Sequence, residues 1–538
     1  MFDVPTDEIV KRVFSSTDFL LKKREQRLQE LSAYVEKLRF AFITREVVDA
    51  KPLSYMAIDG TESVDSRYDL LVFYAGAFGY AGTLERDASG GLVMSEETTV
   101  DLPTEISMAI PMHEGDVADV TRKVDGSPAD VPPLLMELSE LALARAAVKT
   151  GDVGILLLDR SLSMEYSHLS TDVENFLRGH QSLFFDDATI GIALNAIPSR
   201  GATETLGPQL AWQVMNEFGR RRGSWSEISS ALGLSKPDLA REALSWLESA
   251  SASGIAGKID SDRFLVGFED RLEMGLDKAL GKVLFNPEGH PLWKDGKWVE
   301  EGDIKLLSLL VLRSLLKLAL EKNTLLIGIT KESSSSDFIE GAFKMLALKK
   351  GVSEYSPNMG TDLAYLSTVS DMLGVHAPWR SLEFDAHFHG ESVPAKVFAR
   401  GYVKLSSSSL GRVFGYDRPF YSIPPRDDWV EGNGDWGGDG YSDLVLTYLE
   451  PMAKEAIPEA LGYNYPLFLA DKKAKTMQAE ARRAYLSAID LELSRAGLPP
   501  GAGKYRDMRK YYEQMRRRSV VRRHRREVQL QAQGTGLS

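Results

Sequence analysis

The stretch VGILLLDRSLS (153–163) decides the fold of this chain. A short, unbroken apolar run reads as a strand buried on both faces, and this one runs out into a carboxylate, Asp159. A second run, SYMAIDGTES (54–63), does the same at Asp59. Carboxylates where buried strands end sit at the edge of a sheet, where hard divalent cations find oxygen ligands. Two such ends suggest a metal-dependent phosphodiesterase site.

Around these runs the texture alternates. Pro132 and Pro133 open a helix, LLMELSELALARAAVK, that leads past Gly151 into the strand ending at Asp159. After Asp59, DLLVFYAGAFGYAG (69–82), GLVMS and TTVDL read as further strands of a meander. Downstream, IKLLSLLVLRSLLKLALEK (304–322) reads as a buried helix, and TLLIGITK (324–331) as a third apolar strand ending in Lys331. AKVFARGYVKL and RVFGYD read as strands, and a loop rich in Gly, Asp and Trp spans 432–440. GYNYPLFLADKKAKTM (462–477) turns into a helix with Pro466 in its first turn. The fold class is α/β (α+β), a mixed sheet flanked by helices.

At 538 residues the chain exceeds what one core usually organises, which predicts a main domain with insertions. With 43% hydrophobic and 26% charged residues the composition is that of an ordinary globular protein. No apolar run approaches the roughly 20 residues that span a bilayer, and the first residues carry charges where a signal peptide has its apolar core. A cytoplasmic protein without membrane contact is expected. The absence of cysteine excludes disulfides and thiolate metal sites, so Mg²⁺ or Mn²⁺ on oxygen ligands is favoured over structural zinc.

The net charge of −13 hides an asymmetry: residues 501–538 hold eleven Lys or Arg against three acidic residues, a net of +8 that leaves −21 on the rest. This predicts a helix-prone basic arm able to track DNA phosphates through Arg516, Arg517, Arg518, Arg522 and Arg523, with Tyr511 and Tyr512 available for stacking. A solvated or partner-bound tail is the plainer alternative. Residues 1–50 read as amphipathic helices packed on the body or a partner, with Ile9, Val13, Phe14, Phe19, Leu20, Leu28 and Leu31 at helical spacing. Residues 205–270 read as helix, short helix and turn, longer helix and small hairpin, a winged-helix-like insertion. Its third helix carries Lys236 and Arg241 against Asp238, Glu242 and Glu248, which favours protein contact over groove reading. The core therefore falls into halves, 51–204 and 271–480, followed by a helical basic tail, 481–538.

Taken in order, IDGT at Asp59, a helix glutamate, LLLDRSL, GITK and YNYPLFLAD resemble the NurA nucleases, whose core is RNase H-like. The resemblance implies a metal-dependent DNA nuclease acting on single strands or ends, a homodimer docked on a hexameric HerA-type ATPase, and a role in end processing or anti-phage defence. It implies Asp59 and Asp159 as ligands of a two-metal Mn²⁺ or Mg²⁺ site, joined by Glu140, with Glu137 as substitute. It matches Tyr463 to the family's tyrosine. Asp471 stands where the family has histidine, a departure that still supplies a carboxylate. Lys331 is suited to a non-bridging phosphate oxygen, and Tyr463 to a hydrogen bond with the scissile phosphate or stacking on a base.

Each residue also has a plainer reading. Asp59-Gly60 could form a turn, Asp159 could pair with Arg160, the glutamates could be surface residues, and Lys331 a solvated strand end. Tyr463 could be a packing aromatic and Asp471 a partner for Lys472 or Lys475. A second cluster, His387 and His389 with Asp385 and Glu383, places both imidazoles and Asp385 on one strand face, where a metal or a half-exposed strand would explain them. The competing function is a catalytically inactive DNA-binding adaptor.

Overall fold

In the computed structural model the two apolar runs become neighbouring parallel strands. The structure describes residues 6–44, 51–67, 70–95, 102–121, 128–198, 212–213, 230, 268–285, 289–331, 335–343, 360–386, 397–406, 411–420, 429–430, 441–453 and 463–495. Strands β2 (Leu53–Arg67) and β6 (Ile155–Leu158) pair from Tyr55 with Ile155 to Ile58 with Leu158. All four residues of β6 are buried, as the unbroken apolar run requires. On its far side β6 pairs in parallel with β9 (Leu325–Thr330).

On the other flank β2 forms a long antiparallel hairpin with β3 (Leu70–Arg86), from Leu53 opposite Leu84 to Arg67 opposite Leu70. Strands β4 (Leu92–Ser95) and β5 (Glu105–His113) then pair with β3. Antiparallel strands lead into two parallel additions with helices in the crossovers, a mixed sheet as the sequence predicts. The expected meander is longer than it looked. Strand β2 does not stop at Asp59, β5 follows at Glu105–His113, and most of the strand expected at TTVDL lies outside the described residues.

Beyond β9 the sheet continues through β13 (Val413–Pro419), β12 (Phe398–Lys404), β10 (Trp379–Ser381) and β1 (Phe42–Ile43), giving twelve strands among the described residues with β11 (Glu383–Asp385) beside β12 and β14 (Trp429–Val430) paired to β11. A separate hairpin joins β7 (Trp293–Lys294) to β8 (Lys297–Trp298).

Helix α3 (Val131–Thr150), with Pro132 and Pro133 in its first turn, packs on β2 and β3. Over it lies α7 (Glu301–Lys322), apolar around most of its circumference because α4 (Leu162–Leu177) and α6 (Phe268–Leu284) cover its other sides. Buried ion pairs fix α6: Arg313 holds Glu269 (2.6 Å), and Arg145 holds Glu273 and Asp277. The opposite sheet face carries α10 (Tyr465–Arg495), because side chains alternate along β2: Gly60 faces α3, whereas Asp65 meets Arg482 and Tyr485 of α10. This is one continuous helix with Pro466 in its first turn, running well past the end of the 462–477 segment in which the sequence reads its start. Short helices α2 (Val117–Thr121), α5 (Asp187–Asn195), α8 (Asp362–Leu373) and α9 (Tyr441–Leu449) fill connections.

Helix α1 (Thr6–Ser32) carries the apolar stripe read as packing on the body or on a partner. Val13 is 58% exposed and Phe14 70%, so its apolar stripe is not packed on the body. Near its end Leu31, and in the turn that follows Leu38, enter a cluster with Phe338, Tyr365 and Trp379. The winged-helix-like segment at 205–270 lies almost wholly outside the described residues, as do Arg516, Arg517, Arg518, Arg522 and Arg523. Among the described residues no helix is long and apolar enough to cross a membrane.

Candidate active site

The ladder between β2 and β6 ends at Ile58 and Leu158, so Asp59 is the next residue of β2 and Asp159 the first residue past the end of β6. Asp59 is not in a turn: it stays in β2, opposite Phe78 of β3. Its Oδ1 accepts a hydrogen bond from the Gly60 N–H (2.8 Å). Burial pushes its carboxyl up to about 8, the charges of Asp159 and Glu140 push the same way, and Lys331 offsets part of the rise.

Asp159 is paired by residues from distant parts of the chain. Lys331, just past β9, donates to its Oδ2, and the Tyr463 hydroxyl donates to its Oδ1 (2.9 Å). The Lys331 ammonium also lies 4.4 Å from the Tyr463 ring centroid. Burial and the Asp159 charge hold the Tyr463 phenol well above its ordinary pKa, so it remains a donor. Arg160, the neighbour that offered Asp159 a salt bridge, turns elsewhere.

Helix α3 brings in Glu140. The helix lies so close to β2 that a Cβ on Gly60 would overlap Glu140 Oε1 and stand 2.6 Å from Met136 Cγ. Glu140 Oε2 accepts from Arg160 Nε (2.7 Å) and Nη2, while Arg160 Nη1 reaches Glu165 at 3.0 Å. Burial raises the Glu140 carboxyl, with Arg160 opposing the rise. Glu137, one turn earlier, sits beside Glu165 and Arg160; burial and the Glu165 charge raise it well above the usual range. Of the two candidates on α3, Glu140 is therefore the one over Gly60 and next to the aspartates, and neither is a surface residue.

Asp471, on α10, is bonded to Lys475 (2.7 Å) and bears on the site as a charge near Tyr463. The second cluster divides. Glu383 is buried and committed to Arg418 (2.9 and 2.5 Å), Tyr416 (2.8 Å) and Ser442 (2.6 Å), an internal pair rather than a ligand set. His387 and His389 lie outside the described residues.

The sequence reading missed Arg160, Glu165 and Asp417 as parts of this site. Asp417 of β13 accepts from Ser161 Oγ, Ser163 Oγ (2.8 Å) and Ser163 N (3.1 Å), tying the loop after Asp159 to the sheet. The DRS-S spacing was available as a signal, since Ser161 also caps α4 through Met164 N. The β13 partner was not, because it lies 256 residues away.

Among the described residues no three His, Asp or Glu side chains form a ready-made metal cluster. The donor set nevertheless suits a hard divalent cation: the charges of Asp159 and Glu140 push the Asp59 carboxyl up and that of Asp159 pushes Glu140 up, a repulsion a cation relieves.

No family model and no curated protein matches the chain. Solved structures do. The crystal structure of the NurA nuclease from Sulfolobus solfataricus is 15% identical, with 92% of this chain and 98% of that chain covered at a TM-score of 0.42. A NurA crystal structure bound to dAMP and manganese is 14% identical, covering 90% of this chain and 97% of that chain at a TM-score of 0.39. A third, of NurA with manganese, is 13% identical over 89% of this chain and 98% of that chain, with a TM-score of 0.38. The chain is similar to solved NurA nucleases over most of its length, and NurA is the family its motifs resemble.

Proposed function

We propose that this chain is a divalent-metal-dependent deoxyribonuclease acting on single-stranded DNA or DNA ends. The observation that carries the reading is the placement of Asp59 and Asp159 on adjoining strands with Glu140 alongside. Asp59, Asp159 and Glu140 Oε1 would hold Mn²⁺ or Mg²⁺, which when bound activates water and neutralises charge on the leaving oxygen. Lys331, 40% exposed, is placed to transfer a hydrogen bond from Asp159 to a non-bridging phosphate oxygen. Tyr463 keeps its proton and orients Asp159. The basic arm beyond residue 500 would track the DNA backbone.

The resemblance adds a HerA-type ATPase partner, a homodimer, and a role in end processing or anti-phage defence to the proposal. Asp471, at the family's histidine, would act as an outer carboxylate while held by Lys475. The segment 205–270 would be a contact module inserted between the halves of the core.

The test is cleavage of end-labelled single- and double-stranded DNA with Mn²⁺, Mg²⁺ or EDTA, with and without the cognate ATPase. Cleavage that needs metal and is lost in Asp59→Asn and Asp159→Asn supports the proposal. One observation favours the adaptor reading: Lys331 and Arg160 already neutralise Asp159 and Glu140. DNA binding without cleavage in any combination, unaffected by EDTA or Asp59→Asn, would establish that alternative.

A further inference from the structure

Arg160 occupies an unusual place for a residue that follows a candidate metal ligand. Its side chain is 11% exposed and points away from Asp159, into the space between α3 and α4, where Glu137, Glu140 and Glu165 surround it. Nε and Nη2 both address Glu140 Oε2, and Nη1 addresses Glu165 Oε2 at 3.0 Å. Burial works against the guanidinium's charge, but the three glutamates more than offset it and raise its pKa above the ordinary arginine value.

The backbone beneath Arg160 is fixed as well. Ser161 and Ser163 are tied to Asp417, and the Arg160 carbonyl packs where a Cβ on Gly328 would sit. Withdrawing the guanidinium would strand buried carboxylates without a counter-charge. Glu140 therefore divides its oxygens: Oε2 belongs to Arg160, and Oε1 lies over Gly60, the residue next to Asp59, whose carboxyl feels the Glu140 charge.

We propose that Arg160 takes the place of a second divalent cation, so that the site binds one metal ion per chain, held by Asp59, Asp159 and Glu140 Oε1. The inference rests on the metal-dependent reading above and concerns how many ions that site takes. A second ion needs an oxygen facing away from the first, and Glu140 Oε2 is the one a fixed cation already holds. Among the described residues the other acidic neighbours are engaged elsewhere: Glu137 and Glu165 face each other and Arg160, Asp417 Oδ2 accepts from Ser161 and Ser163, and Asp471 is bonded to Lys475.

The test is Mn²⁺ binding to the full chain by calorimetry, with the electron paramagnetic resonance spectrum of the bound ion as second readout. The expected result is one ion per chain with an uncoupled Mn²⁺ spectrum in the wild type and in Arg160→Lys, which keeps the charge. Arg160→Gln, which frees Glu140 Oε2, should bind two ions and show spin coupling between them. Two coupled ions in the wild type would overturn the inference while leaving the metal-dependent reading intact. No binding in the wild type would overturn both. A folded Arg160→Gln protein that still binds one ion would also overturn it. Should that variant not fold, the wild-type and Arg160→Lys stoichiometries decide.

Discussion

Glu140 lies over Gly60 with no room for a methyl group between them. A glycine with a partner so close on one face is how α3 brings a carboxylate to the edge of β2, where the aspartates stand. Gly60→Ala would push Cβ into Glu140 Oε1 and against Met136 Cγ. Overpacking of this kind costs about 1–3 kcal/mol, and here it moves a proposed ligand as well. The expected outcome is a lower urea midpoint together with a loss of metal-dependent cleavage. Full activity in Gly60→Ala would remove Glu140 from the site.

The Asp59 carboxyl, pushed up to about 8 by burial and by Asp159 and Glu140, and partly relieved by Lys331, implies a defined pH response. An unfolded aspartate titrates near 3.9, so the folded chain holds a proton that the unfolded chain releases. The stability this proton contributes is fully present below about pH 4 and is lost as pH rises through about 8. In EDTA the protein should therefore become less stable between pH 5 and pH 8 by urea unfolding. Mn²⁺ at pH 8 should restore stability, because binding to the folded state alone shifts the equilibrium. A flat profile in EDTA would show that Asp59 does not carry this load.

Asp59→Asn separates the two consequences of that crowding. It removes a ligand, and since even outer partners of metal ligands are worth about 10–100-fold, the loss of cleavage should exceed ~10²-fold. It also removes a charge that Asp159 and Glu140 oppose. The metal-free variant at pH 8 should accordingly be more stable than the metal-free wild type, and Mn²⁺ should no longer raise its melting temperature. A variant both inactive and destabilised would point to a structural role instead.

The core of this arrangement was legible in the chain because its signals are local. Unbroken apolar runs marked β6 and β9, and Pro132 with Pro133 marked the start of α3. Asp59 was harder: Asp-Gly reads as a turn, and only pairing with β3 out to Arg67 keeps it in a strand. The contacts that set the electrostatics were not legible at all. Lys331 and Tyr463 lie 172 and 304 residues from Asp159, and the choice of Glu140 by Arg160 depends on how α3 crosses β2. The exposed stripe on α1 shows the converse, since amphipathic spacing says that a face is apolar without saying what covers it.

Tyr463 tests the remaining contact to Asp159. Tyr463→Phe keeps the ring under Lys331 and against Phe414 (5.0 Å between centroids) but deletes the 2.9 Å hydrogen bond. A hydrogen bond to a charged carboxylate contributes about 1.5–3 kcal/mol, so where that bond orients Asp159 in the transition state cleavage should fall by about 10–100-fold. A loss comparable with that of Asp59→Asn would instead give the hydroxyl a direct part in the chemistry.

Asp65 is buried in β2, and its oxygens are bound by Arg482 (2.5–3.1 Å) and Tyr485 (2.6 Å), while the Tyr485 ring stacks on Tyr74 at 6.0 Å. This lock fastens the second half of α10 to the β2–β3 hairpin, and α10 is the element that leads into residues 501–538. Arg482→Ala leaves a buried carboxylate short of its cation. Breaking a fully buried pair costs about 3–5 kcal/mol, and because the Arg482 side chain is 44% exposed the cost here should be smaller, about 1–3 kcal/mol. Asp65→Asn combined with Arg482→Ala should recover part of that loss, since no charge is then stranded. If the lock also aims the arm, Arg482→Ala should weaken DNA binding at low salt more than the double substitution does. Equal binding by both variants would mean that the arm acts as a tether without a fixed direction.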